Sequence, residues 1–234
     1  VKDTFRDLVE YRIYEDLRRG WRILQPNLEQ CGLLHIEYRG LEELCNNEKI
    51  WEEFPQMKKL SGRDRLKYLT AFLDFTRKKL AIDIQCLKEI HLQQLRKKAY
   101  QNLNEKWAFD QSEYLHTSSY LVYPNLPQRS SSNFISLSSR SLLYRFMKRY
   151  ALIDEDYDQF IQKLIRLLSG HGILKIEEGK GQFCIQLNAG ILIWKKGDGS
   201  LPRDLIYSRK LVDLPFREFV GEINPFFREF YSGQ

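Results

Sequence analysis

The chain lacks the spacings that most metal and redox chemistry requires. Its four cysteines, Cys31, Cys45, Cys86 and Cys184, include no C-x-x-C pair. This argues against a zinc site or a thioredoxin-type motif. They read instead as scattered buried thiols in a reducing, cytoplasmic compartment. The four histidines, His35, His91, His116 and His171, form no H-E-x-x-H array and no metal set. No apolar run approaches the about 18 residues that would span a bilayer, so no membrane partner is expected. No basic-then-apolar leader opens the sequence. It begins Val1-Lys2-Asp3 without Met, which reads as a fragment or a processed chain.

Catalytic motifs are equally scarce. No G-x-S-x-G elbow, G-x-G-x-x-G loop or glycosidase-like carboxylate pair is present. Gly179-Lys180-Gly181 lacks the leading Gly and trailing Ser or Thr of a phosphate loop, and reads as a hairpin turn. Asp154-Glu155-Asp156 resembles a magnesium-holding acidic pair only superficially. A helical pattern follows at once, so these acids read as a cap and a first turn that complement the helix dipole. No catalytic residue is assigned.

What is present is ordinary globular composition, 43% hydrophobic and 13% aromatic over 234 residues. That suffices for a core without metals or disulfides. Lys and Arg outnumber Asp and Glu by 37 to 31, a formal charge of +6. This excess fits contact with phosphate backbones without requiring it.

The predicted fold is α+β, mainly α: a helical domain over 1–123, a Ser/Pro-rich linker over 124–137, and a winged-helix-like domain with a tail over 138–234. A helix is expected over 4–19, with Phe5, Leu8, Val9, Ile13 and Leu17 as its apolar face. Another runs through 41–54 to a stop at Pro55. A third follows Ser61-Gly62, with Leu66, Leu69, Leu73, Thr76 and Leu80 on one face. A fourth covers about 83–107, from Ile84 to Trp107. Residues 124–141 hold two prolines and seven serines, which mark the boundary.

Beyond it the pattern is specific. A helix capped by Ser138 or Ser139 carries Leu142, Leu143, Phe146 and Met147. A second, capped by Asp154, carries Tyr157, Phe160, Ile161, Leu164, Ile165 and Leu168, and Ser169-Gly170 closes it. Alternating runs at 172–178 and 182–187 then predict a β-hairpin. Helix, helix and hairpin is the second half of a winged-helix unit, which often sets its second helix in a groove and its wing on the backbone. Lys163 and Arg166 on that helix, with Lys175 and Lys180 on the wing, are the expected DNA or RNA contacts. The alternative is a unit used only for protein contact. Arg18, Arg19 and Arg22 beside Trp21 form a second candidate. They either clamp phosphate while the indole stacks on a base, or flank a Trp buried at a helix end.

One longer run carries a resemblance. Leu17-Arg18-Arg19-Gly20-Trp21-Arg22-Ile23-Leu24-Gln25-Pro26-Asn27-Leu28-Glu29-Gln30-Cys31-Gly32-Leu33-Leu34 resembles a signature of large bacterial DEAD/DEAH-box helicases of superfamily 2. Gly40-Leu41-Glu42-Glu43-Leu44-Cys45, Leu187-Asn188-Ala189, Leu192, Trp194, Gly197-Asp198-Gly199 and Asn224-Pro225-Phe226-Phe227-Arg228 are similar too. The resemblance implies an accessory insert between two RecA-like motor lobes of a parent chain. Those lobes would bind ATP and magnesium, and the fragment itself would hold no cofactor. The rival functions are a non-enzymatic winged-helix DNA-binding regulator and a protein-docking scaffold.

Overall fold

A computed structural model describes residues 1–18, 27–29, 32–124, 133–153, 156–179, 182–199 and 205–206. The fold is α+β, with helices first, then mixed sheets and a β-hairpin. The chain starts with α1 (Lys2–Arg18), and β1 (Leu34–Tyr38) and α2 (Leu41–Asn46) follow. Next come a 3-10 turn (Glu48–Glu53), α3 (Pro55–Lys58) and α4 (Gly62–Lys78). Strand β2 (Ile82–Asp83), α5 (Glu89–Asn102), β3 (Tyr120–Tyr123) and β4 (Phe134–Ser136) complete the first part. The second holds α6 (Leu142–Arg149), α7 (Tyr157–Gly170), β5 (Leu174–Gly179), β6 (Gln182–Asn188) and β7 (Leu192–Lys196).

The face of α1 differs from the expected one. Leu8 and Leu17 are buried, but their companions in the core are Tyr11 and Tyr14, while Phe5, Val9 and Ile13 are 39%, 38% and 42% exposed. Tyrosine can bury its ring and still satisfy its hydroxyl. The Tyr11 hydroxyl accepts from the His116 backbone N–H at 2.9 Å. The expected helix over 41–54 is broken after Asn46, and Pro55 opens α3 at a position where its missing N–H costs nothing. Ser61 caps α4 as its spacing requires, accepting from the Asp64 N–H at 3.1 Å. The fourth helix starts later than expected, at Glu89, and ends at Asn102, which leaves Trp107 outside it and 56% exposed.

In the second part the helix faces agree with the sequence. Leu143, Phe146 and Met147 of α6 are buried, as are Tyr157, Ile161, Leu164, Ile165 and Leu168 of α7. The caps shift by a few residues: Ser141 accepts from the Tyr144 N–H at 3.1 Å, and Asp156 from the Gln159 N–H at 3.0 Å. Asp154 lies outside the described residues.

Strand β6 organises the main sheet. It pairs antiparallel with β5 along its length, from Leu174 opposite Leu187 to Gly179 opposite Gln182. A strand has two edges, so its other partners share the second one. These are β3, antiparallel at residues 183–185, and β2, parallel at 187–188. Within the segment expected as a linker, β4 lies parallel to β3. The core is continuous from α1 through α4 to α7 and β6.

A small second sheet joins β1 and β7, with Leu34 opposite Lys196 and Tyr38 opposite Leu192. Beyond it the Gly199 N–H bonds Gly32 O at 3.0 Å, and Gly197 donates to Leu33 O at 2.8 Å. A Cβ on Gly197 would lie 2.0 Å from Gly32 O, so no side chain fits there. Two glycine segments far apart in sequence are thus placed in backbone contact.

Candidate nucleic-acid interface

Helix α7 sits on the sheet face that carries Leu174, Ile176, Ile185 and Leu187, because those residues and the inner face of α7 share one core. Lys163 and Arg166 lie three apart on its exposed side, one helical turn of cation facing solvent. The Arg166 guanidinium rests 5.6 Å from the centroid of the Phe183 ring at the start of β6. Phe183 in turn stands 6.5 Å from Tyr123 of β3. Gln162 of α7 reaches the Tyr123 hydroxyl at 3.5 Å. Arg166 is therefore tethered toward the hairpin, while Lys163 has no ion-pair partner among the described residues.

The hairpin's own cations are arranged differently. Alternation puts Lys175, Glu177, Cys184 and Gln186 on the face of the sheet away from α7. Lys175 is bound there to the Asp83 carboxylate, which Lys88 also approaches at 3.9 Å. Lys175 and the α7 pair do not share one surface. Glu177 and Glu178 on β5 are exposed, so this strand offers phosphate as much repulsion as attraction. Lys180 lies outside the described residues, as do Arg19, Trp21 and Arg22. Arg18 ends α1 and donates to Nε2 of His116.

Behind the site a train of aromatic rings fixes α7. Trp51 is fully buried and donates from Nε1 to Leu44 O at 3.0 Å. Its ring lies 5.5 Å from Phe54, and Phe54 meets Phe160 of α7 edge-on at 5.8 Å. The buried Arg65 also lies over the Trp51 ring, 5.7 Å from its centroid.

Sequence reading missed a second buried network. Arg77 is fully buried, with its guanidinium on Glu29 and on Asp74, 3.0 Å away. The Tyr38 hydroxyl donates to Asp74 at 2.7 Å and accepts from Arg77 Nε at 3.1 Å. Burial works against the Arg77 charge, but Asp74, Tyr38 and Glu29 outweigh it and raise its pKa. Burial, with Asp74 beside it, pushes the Tyr38 phenol well above its ordinary value. The network ties α4 to β1 and to the turn at 27–29.

The Cys45 and Cys86 thiols are buried and inert by position. Burial pushes Cys45 and Cys86 each up to about 12, far from a reactive thiolate. Among the described residues no three His, Cys, Asp or Glu side chains gather to hold a metal ion, and no helix is long and apolar enough to cross a membrane.

No family model, curated protein or solved structure matches this chain.

Proposed function

We propose that this chain is the accessory region of an ATP-dependent DEAD/DEAH-box helicase that contacts DNA or RNA through α7. The order α6, α7, β5, β6 supports a winged-helix-like unit, with α7 as the helix presented to nucleic acid. The observation that carries the reading is the exposed Lys163 and Arg166 pair, with Arg166 poised over an aromatic ring of the hairpin. Two exposed cations on one turn can each neutralise a phosphate, and an adjacent ring adds contact surface. Motor lobes outside this chain would bind ATP and magnesium. The fragment contributes grip, and no residue in it is assigned to hydrolysis.

The test is fluorescence anisotropy with duplex, forked and single-stranded DNA and the matching RNAs across a salt series. Binding is expected to weaken steeply with salt as counterions are retained on the phosphates. Lys163→Ala with Arg166→Ala should lower duplex affinity about tenfold and reduce the log–log salt slope by about 1.8, from about 0.9 per lost phosphate contact. An unchanged slope would remove α7 from the interface.

A further inference from the structure

Helix α6 carries a different arrangement of charge. Its eight residues, Leu142–Arg149, contain three cations and no acid. Leu143, Phe146 and Met147 fill the core, and Arg145, Lys148 and Arg149 are exposed on the opposite arc. Arg149 donates to Leu205 O at 3.4 Å, whereas Arg145 and Lys148 have no ion-pair partner among the described residues. Among the described residues several other cations are committed instead: Arg12 to Glu113, Arg77 to Glu29, Lys175 to Asp83, Lys195 to Glu37.

Half-buried tyrosines border this ridge on both sides. Lys148 lies 5.9 Å from the ring centroid of Tyr144, which packs edge-on against Tyr157 at 4.9 Å. On the other flank Tyr68 of α4 meets Tyr150 at 5.0 Å, and the exposed Lys67 sits 5.4 Å from the Tyr68 centroid. Asp64, whose charge acts on Tyr68, is engaged by the Ser61 hydroxyl at 2.7 Å. A cationic ridge edged by tyrosine rings has two kinds of attraction to offer, one for phosphate and one for a base with an open face.

We propose that the outward face of α6 is a second nucleic-acid contact that takes single strands. Arg145 and Lys148 hold the phosphates, and Tyr144 receives an unpaired base. Duplex bases are already stacked on their neighbours and gain nothing from the ring, so the preference is for single-stranded nucleic acid. The inference rests on the reading that this chain contacts nucleic acid, but on a separate helix from the one assigned above.

The experiment uses the 234-residue chain, a short oligothymidine strand, the corresponding duplex and heparin as a polyanion without bases. Arg145→Gln with Lys148→Gln is expected to lower single-strand affinity about tenfold, with a salt slope smaller by about 1.4, from about 0.7 per contact. Tyr144→Leu should cost about fivefold or more on the single strand and nothing on heparin, and Tyr144→Phe should restore binding. Duplex binding should survive all three variants and fall about tenfold in the Lys163→Ala, Arg166→Ala protein. If single-strand binding is absent in the parent chain, or is removed only by the α7 variant, the α6 contact is overturned while the α7 reading stands on its duplex result. If only the α6 variants lose binding, the α7 assignment fails and this one holds. Equal losses on heparin and oligothymidine in Tyr144→Leu would overturn the base-stacking role.

Discussion

Replacing Arg77 by Met is expected to destabilise the protein by about 3–5 kcal/mol, because it leaves the buried Glu29 without its cation and takes one partner from the half-buried Asp74. Glu29 is only 6% exposed, so water cannot take over the lost interaction. The methionine fills much of the guanidinium's space, which keeps the cavity contribution small and isolates the charge effect. For a chain of this size each kcal/mol moves the melting temperature by about 2–4 °C, so a fall of about 10 °C is expected in a thermal melt. Arg6→Ala is the natural control. Its partner Asp3 lies at the surface of α1, Asp7 is half-buried, and Arg6 is itself 72% exposed. Exposed pairs of this kind contribute little, and the melt of that variant should overlay the parent. A melting point for Arg77→Met within 2 °C of the parent, roughly one kcal/mol or less, would show that the buried network is not a stabilising tie.

Trp51→Ala should be comparably severe, by a different route. Removing a fully buried indole costs about 3–5 kcal/mol through lost transfer energy and the cavity left behind. Leu44 O loses its indole N–H donor, and Arg65 loses the ring it covers. Arg65 then stands beside a void with Glu48 and Leu60 O as its remaining partners. Because Phe54 links Trp51 to Phe160, the damage should reach α7. Hydrogen exchange is expected to rise at the backbone amides of 157–170 as well as at 44–54. Trp51→Phe, which keeps an aromatic ring but not the donor, should recover roughly half of the loss. Faster exchange confined to 44–54 would contradict the proposed support of α7 by this aromatic train.

The legible parts of the sequence were those where periodicity and burial agree. Ile161, Leu164, Ile165 and Leu168 recur at helical spacing with polar residues between them, and they are the buried face of α7. The hairpin was equally clear, because both of its strands alternate around a glycine turn. Helix α1 misled because its core positions are filled by Tyr11 and Tyr14, while the aliphatic Val9 and Ile13 remain exposed. Strands β1 and β7 gave no local signal, since each is completed only by a partner more than a hundred residues away.

Charge was the least readable property. Arg77-Lys78-Lys79 looks like a solvated helix surface, yet Arg77 is buried, and nothing within its own helix announces Glu29 or Tyr38. Of the candidate contacts on the hairpin unit, Lys163 and Arg166 are placed together by the three-residue spacing that the sequence already displayed. Lys175 is separated from them by strand alternation and held by Asp83, a residue from β2 that no reading of the hairpin alone would bring near. In the sequence Arg145, Lys148 and Arg149 look like an ordinary basic run on a helix surface. What distinguishes it is the position of Tyr68, supplied by α4.

The most direct test of the central claim is photo-cross-linking of the chain to a forked substrate carrying photoreactive thymine analogues, with the adducts mapped by mass spectrometry. The predicted result is adducts on the peptides that contain Lys163, Arg166 and Phe183, diminished by salt and by competing unlabelled strand. Adducts absent from α7 and β6, in the parent chain at low salt, would contradict it.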